Sequence, residues 1–136
     1  MPARAPQTNS ETQPFFDAAA AGKLRLPRCD DCAHVVWYPR SRCDACASTA
    51  LTWFDASGAG SVYSFTVTRR VPGRWQAATP FVVAYVELDE GPRVLTNVVD
   101  CDPESVVVGM RVAAVFEPTD DGPPLLRFRP EGAGAA

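Results

Sequence analysis

The distribution of apolar residues divides the chain into stretches of different texture. Residues 1–13 are polar and read as a flexible tail. Pro14–Gly22 (PFFDAAAAG) reads as a short helix, with proline in the first turn, helix-favouring alanines and Gly22 as its stop. A helix this short does not persist alone, so Phe15 and Phe16 must pack on something. Over residues 24–54 two short strand-like pieces, LRLPR and VVWYP, flank a cysteine pair. So small a segment builds too little apolar core and needs a staple. From about Leu51 the texture becomes all-β. Gly58 and Gly60 punctuate the start, and runs rich in β-branched and aromatic residues follow at Ser61–Val71, Phe81–Leu88, Arg93–Val99, Met110–Glu117 and Leu125–Arg129. The turn Asp89–Pro92 makes the second and third of these a hairpin. Glu131–Ala136 is a tail of small residues.

Five strands with one long connection between the first two predict a Greek-key barrel of the OB type; an open β-sandwich is the alternative. The expected fold class is mainly β: a short N-terminal helix and a zinc ribbon followed by a five-stranded OB-fold barrel. The expected boundaries are a tail over 1–13, helix and ribbon over 14–54, barrel over 55–130, and a tail over 131–136. Drawn there, the ribbon boundary implies that loss of the metal leaves the barrel largely folded.

Composition narrows the function classes. Of 136 residues, 46% are hydrophobic and 21% charged, which excludes a wholly disordered chain. No apolar run reaches the roughly 20 residues that span a bilayer. The polar N-terminus has no apolar core of a secretory signal, so a cytoplasmic location is expected. The net charge of −3 argues against nucleic acid as partner, because such binders are normally basic at least over one face.

The cysteines carry the strongest chemical signal. Cys29 and Cys32 form one C-x-x-C, Cys43 and Cys46 a second, with ten residues between the pairs. Each turn presents two thiolates to one ion at about 2.3 Å, and two turns complete a tetrahedron. Zinc is the first choice, one ion in a structural role; iron in a rubredoxin-like site also fits four cysteines. Two disulfides are disfavoured by the expected compartment, and a redox motif by the lack of a βαβ pattern. Four protein sulfurs leave the ion no open position. His34, the single histidine, reads as a loop residue, and Cys101 as a small half-buried thiol. No base–nucleophile pair and neither G-x-S-x-G nor G-x-G-x-x-G occurs, so the chain alone is expected to turn nothing over.

Two surfaces are candidates for binding. The connection Arg69–Pro80 (RRVPGRWQAATP) sets Trp75 beside Arg69, Arg70 and Arg74, which suits an anionic group joined to a flat ring. Single-stranded nucleic acid and a nucleotide-bearing ligand such as coenzyme A both answer that description. The second surface is the helix with the metal module. Phe15, Phe16, Trp37 and Tyr38 are candidate anchors for a partner, since a small module with several large aromatics has more apolar surface than it can hide. The competing arrangement packs Phe15 and Phe16 inward on the barrel.

The combination resembles a bacterial and archaeal family of OB-fold, acyl-CoA-associated proteins with a rubredoxin-like zinc ribbon, long described as a domain of unknown function. The resemblance runs from Pro14 to Arg129. It rests on PFFDAAAAGKL, on LRLPRC leading into C-x-x-C, and on YPR before the second pair. It continues through G-x-G-x-V-Y-S-F-T at Gly58–Thr66, PFVVAYVEL at Pro80–Leu88 and G-x-x-V at Gly109–Val112. Ala33 and Ala47 depart from it: the family usually has glycine there, where glycine eases a positive φ. What the resemblance implies is a non-catalytic subunit bound by a thiolase-like enzyme, or by a MaoC-like hydratase. Such systems carry out acyl-CoA condensation or the retro-aldol cleavage of sterol side chains, with the catalytic residues on the partner. The alternative, from a different class, is a nucleic-acid-binding OB module with a zinc ribbon.

Overall fold

The computed structural model describes residues 1–132; the rest of the expected C-terminal tail, 133–136, lies outside the described residues. Helix α1 spans Gln13–Ala20, with Pro14 in its first turn. Ahead of it, Asn9 and Thr12 exchange bonds: the Asn9 amide donates to Thr12 Oγ1 and the Thr12 amide to Asn9 Oδ1. The helix ends as its glycine predicts. Gly22 takes φ 77°, its amide donates to the Ala19 carbonyl, and the Lys23 amide reaches back to Ala18. Of residues 1–13, expected as a flexible tail, Gln13 opens α1, and others make defined contacts with both parts: the Pro2 carbonyl accepts from Arg127 of the barrel, and the Glu11 carboxylate from the Ser41 amide of the ribbon.

Strand β1 (Arg25–Cys29) pairs antiparallel with β2 (Leu51–Asp55), in a register that sets Arg25 opposite Asp55 and Cys29 opposite Leu51. The expected strand VVWYP is corrected to a single bridge, Val35 opposite Arg28. The Val36 amide donates to the Pro27 carbonyl, but Pro27 has no N–H to return the bond, and the ladder stops there.

The other strands are β3 (Ala59–Thr68), β4 (Phe81–Leu88), β5 (Arg93–Val98), β6 (Arg111–Glu117) and β7 (Leu125–Pro130). They close a barrel in the order β3-β4-β5-β7-β6, and the OB-type architecture is the one expected. Four of the five seams are antiparallel. The fifth, β5 with β7, is parallel and rests on one register pair, Val98 opposite Phe128. The expected first strand loses Arg69–Val71 to the connection and gains Ala59 and Gly60. Gly60 must be glycine: a Cβ there would stand 2.6 Å from the Glu87 carbonyl oxygen across the β3–β4 seam. The long connection contains a 3-10 helix, Gly73–Ala78.

Alternation along the strands turns Val62, Val82, Val86, Val94, Val112 and Phe128 into the barrel, all essentially buried. The same core continues without a break through Phe15 and Phe16 of α1, Leu24, Leu26 of β1 and Val35. The ribbon therefore shares its apolar core with the barrel, and the boundary near residue 54 is a change of architecture rather than a gap in packing. A small second cluster, Cys29, Val36 and Cys43 with Leu51 against it, lies under the cysteine turns. No described helix is long and apolar enough to cross a membrane.

Candidate metal centre and neighbouring clefts

Each C-x-x-C begins one of two turns built alike. In the first, the Ala33 amide donates to the Cys29 carbonyl and the Cys29 amide to the His34 carbonyl. In the second, the Ala47 amide donates to the Cys43 carbonyl and the Cys43 amide to the Ser48 carbonyl. Both turns need the residue after the second cysteine in the left-handed region, and Ala33 and Ala47 take it, with φ 65° and 66°. The departures from glycine noted in the sequence thus sit at strained positions.

The turns bring all four sulfurs within 4.8 Å of one another. Cys29 Sγ lies 3.5 Å from Cys46 Sγ, and Cys32 Sγ 3.6 Å from Cys43 Sγ. Four sulfurs around one ion at about 2.3 Å stand about 3.8 Å apart, so the spacing fits a tetrahedral thiolate site. A disulfide, at about 2.05 Å, is excluded by the same distances.

The electrostatics agree. Amides of the first turn, Cys32 foremost, pull the Cys29 thiol down to about 7. At Cys46 the Ser48 amide also favours the thiolate, but the crowding of Cys29, Cys32 and Cys43 with burial overrides it and pushes the thiol up to about 12. Such a set ionises together only around a cation. The residues therefore fit a resident metal ion. Cys29 and Cys43 are buried, Cys32 and Cys46 exposed; four sulfurs would close the shell of an ion held there and leave it a structural role. Around the site, Arg42 donates to the Ala47 carbonyl, and His34 Nε2 lies 3.1 Å from Asp44, tying one turn to the other.

The four candidate aromatics separate by exposure. Phe15 and Phe16 are 3% and 5% exposed. They meet edge to face at 5.0 Å, and Phe15 also meets Trp37 at 5.7 Å. They thus take the inward arrangement: both belong to the core that α1 shares with Leu26 of β1 and the barrel strands. Tyr38, 40% exposed, stays at the surface, with Trp37 half-buried behind it.

The arginines of the long connection also separate. Arg69 and Arg70 line a cleft of about 460 Å³ with Val71, Pro72, Gln76 and Thr79. Arg74 and Trp75 line another, of about 220 Å³, with Arg4, Leu95 and Arg127. Arg74 and Trp75 stand on the 3-10 helix and Arg69 and Arg70 lie ahead of it, so the four residues line two clefts rather than one. Arg69 pairs with Glu104, and Trp75 packs on Phe81 at 5.1 Å between ring centres.

A third and larger cleft, about 530 Å³, holds Cys101 on its wall. Burial raises the Cys101 thiol; Ser105 opposes this, and Asp102 and Asp100 add to the rise. The net direction is toward the neutral thiol. Sequence reasoning missed Arg127, which lines this cleft too. On a strand of alternating pattern an outward arginine reads as solvated, and no local signal marks it otherwise.

Two cysteine turns on a short sheet, fused through one core to a closed five-stranded OB barrel, define a metal-ribbon OB-fold protein. Two family descriptions match in tandem: the ChsH2 rubredoxin-like zinc ribbon domain over residues 16–52 and the ChsH2 C-terminal OB-fold domain over 53–117. A DUF35 domain-containing scaffold protein of Methanocaldococcus jannaschii is 39% identical over 100 residues, 70% of this chain and 71% of the relative. The 3-oxo-4,17-pregnadiene-20-carboxyl-CoA hydratase alpha subunit of Mycobacterium tuberculosis is 34% identical over 119 residues, 82% of this chain but only 35% of that longer subunit. Among solved structures, a chain of the Ltp2-ChsH2(DUF35) aldolase superposes with a TM-score of 0.80 at 34% identity, covering 92% of this chain and 98% of that one. The chain belongs to the ChsH2/DUF35 family of zinc-ribbon OB-fold proteins.

Proposed function

We propose that this chain is a non-catalytic accessory subunit of an acyl-CoA-processing enzyme. The observation that carries the reading is the likeness, at 34% identity over nearly the full length of both chains, to a chain of the Ltp2-ChsH2(DUF35) aldolase. The names of the scaffold and hydratase-subunit relatives point the same way. The site chemistry is consistent: four sulfurs would close the shell of a metal held there, and burial raises the Cys101 thiol. On this reading one zinc ion per chain binds Cys29, Cys32, Cys43 and Cys46 and fixes the ribbon, in the cytoplasm.

The partner is a thiolase-like enzyme, with a MaoC-like hydratase as the other candidate, acting in retro-aldol cleavage of a steroid side chain or in thiolase-type condensation. Tyr38 and Trp37 form the exposed part of the docking surface, backed by Phe15 and Phe16. Arg74 and Trp75 on the 3-10 helix supply cationic and aromatic contacts to a CoA ester at the joint surface, and Arg69 and Arg70, on a separate cleft ahead of that helix, add positive charge nearby. The acidic balance of the chain gives the nucleic-acid alternative no support.

The test is co-expression with a thiolase-like enzyme from the same cell. Co-purification in a fixed ratio, with acyl-CoA turnover that needs both chains, is the expected result. Turnover by this chain alone, or a partner enzyme fully active and stable without it, refutes the reading.

A further inference from the structure

Arg127 departs from the rule that outward barrel positions meet water. Its neighbour on β7, Phe128, points into the core, so Arg127 points out, yet only 2% of it is exposed. Met1 and Pro2 cover it, and Trp75 lies 6.0 Å from the guanidinium. Nη2 donates to the Pro2 carbonyl at 2.6 Å, Nη1 donates to Asn97 Oδ1 at 2.8 Å, and Nε lies against the Glu117 carboxylate. Nη1 also points at the Met1 thioether sulfur, 4.0 Å away. A thioether is a poor acceptor, so of the two Nη1 hydrogens one is well held by Asn97 and the other has only this weak partner, on which a carbonyl oxygen would improve.

Arg127 and Met1 both line the 530 Å³ cleft, whose other walls are mostly apolar: Phe81, Val98, Val99, Val115, Phe116 and Pro118. The volume suits a small molecule and the walls suit an apolar one. Charge sets the polar end of the ligand. Glu117 already neutralises Arg127, and Asp100 stands on the same cleft. The cleft thus offers a hydrogen-bond donor without net positive charge. A carboxylate or phosphate would bring an uncompensated charge into an apolar site, whereas a neutral carbonyl would not. The Pro2 carbonyl already shows what this guanidinium accepts.

We infer that the cleft beside Arg127 is a binding site for a neutral, mostly apolar molecule with a carbonyl group, such as a ketone or an acyl chain, whose oxygen replaces the Met1 sulfur on Nη1. The site is separate from the metal centre and from the Arg69–Arg70 cleft, and it does not depend on the identity of any partner enzyme.

The experiment titrates the purified, metal-loaded chain with 2-octanone and, separately, octanoate, followed by ¹H–¹⁵N NMR. Saturable shifts of the Asn97 side-chain amide and the Cys101 backbone amide are expected with 2-octanone. Octanoate should bind at least about tenfold more weakly, the scale of one charged hydrogen-bond partner mismatched. Val115→Trp, which fills the cleft, should abolish the shifts while the circular dichroism spectrum stays native. Arg127→Met should remove the preference for the ketone. If Arg127→Met fails to fold, the octanoate comparison and Val115→Trp decide. The inference is overturned by absence of saturable shifts, by octanoate binding as tightly as the ketone, or by undiminished binding in a folded Val115→Trp.

Discussion

Replacing Phe16 by alanine distinguishes a core helix from a docking helix. Phe16 is 5% exposed and packs edge to face on Phe15, in a core continuous with Leu26, Val62 and Phe128. Truncating a buried phenylalanine costs about 3–5 kcal/mol, transfer and cavity together. A domain of this size has about 5–15 kcal/mol of stability in all, so the loss is a large fraction of it. At a few degrees per kcal/mol, the melting temperature should fall by about 10 °C or more. The melt should be followed with two probes, near-ultraviolet circular dichroism, to which aromatics of the ribbon (Trp37, Tyr38, Trp53) and of the barrel (Tyr63, Trp75, Tyr85) both contribute, and far-ultraviolet signal dominated by the barrel. Because one core joins the two parts, both should shift together. Tyr38→Ala is the surface control: Tyr38 is 40% exposed, and its truncation should move stability by no more than about 0.5 kcal/mol while weakening binding to an enzyme partner. A Phe16→Ala protein that melts like the parent but loses the partner would refute the argument and restore Phe16 as an interface anchor.

Other outcomes follow from the metal centre and the surface. Zinc, measured by elemental analysis, is expected at about one equivalent per chain and should be lost in Cys43→Ser. Because the ribbon shares the barrel's core, metal removal should lower the urea midpoint of the barrel as well, contrary to the independence that the sequence boundary implies. Ala33→Gly and Ala47→Gly should each stabilise the metal-bound chain, since a left-handed alanine costs about 1–2 kcal/mol and glycine entropy returns about 0.5–1 of it; thermal melts at saturating zinc measure this. Asp89 is held below the usual carboxylate range by its two-pronged bond to Arg111. A depressed native pKa contributes stability that is full above the unfolded value near pH 4 and is lost as pH falls through the native one. Asp89→Asn should therefore lower stability at pH 6 and flatten its fall below about pH 4, by urea titration at each pH.

The cysteine site was legible in the sequence because both C-x-x-C turns are local: the spacing of four residues sets the geometry of each knuckle, and only their meeting is tertiary. The five barrel strands were legible too, since β-branched runs between turn residues carry their own periodicity. The strained Ala33 and Ala47 were picked out only through the resemblance, as departures from the glycine that the family usually has there. The direction of Phe15 and Phe16 could not, because eight helical residues define a buried stripe only against the surface they meet. The strand expected at VVWYP failed through a partner, Pro27, that sequence-local propensity does not see. Arg69 and Arg70 parted from Arg74 and Trp75 because the second pair stands on a 3-10 helix that alternation does not reveal. Arg127 is the clearest case. Period-2 alternation places it on the outside of β7, and that much the local pattern decides. Its burial depends on Met1, Pro2 and Trp75, which approach from distant parts of the chain, and only their packing turns a surface arginine into an enclosed donor.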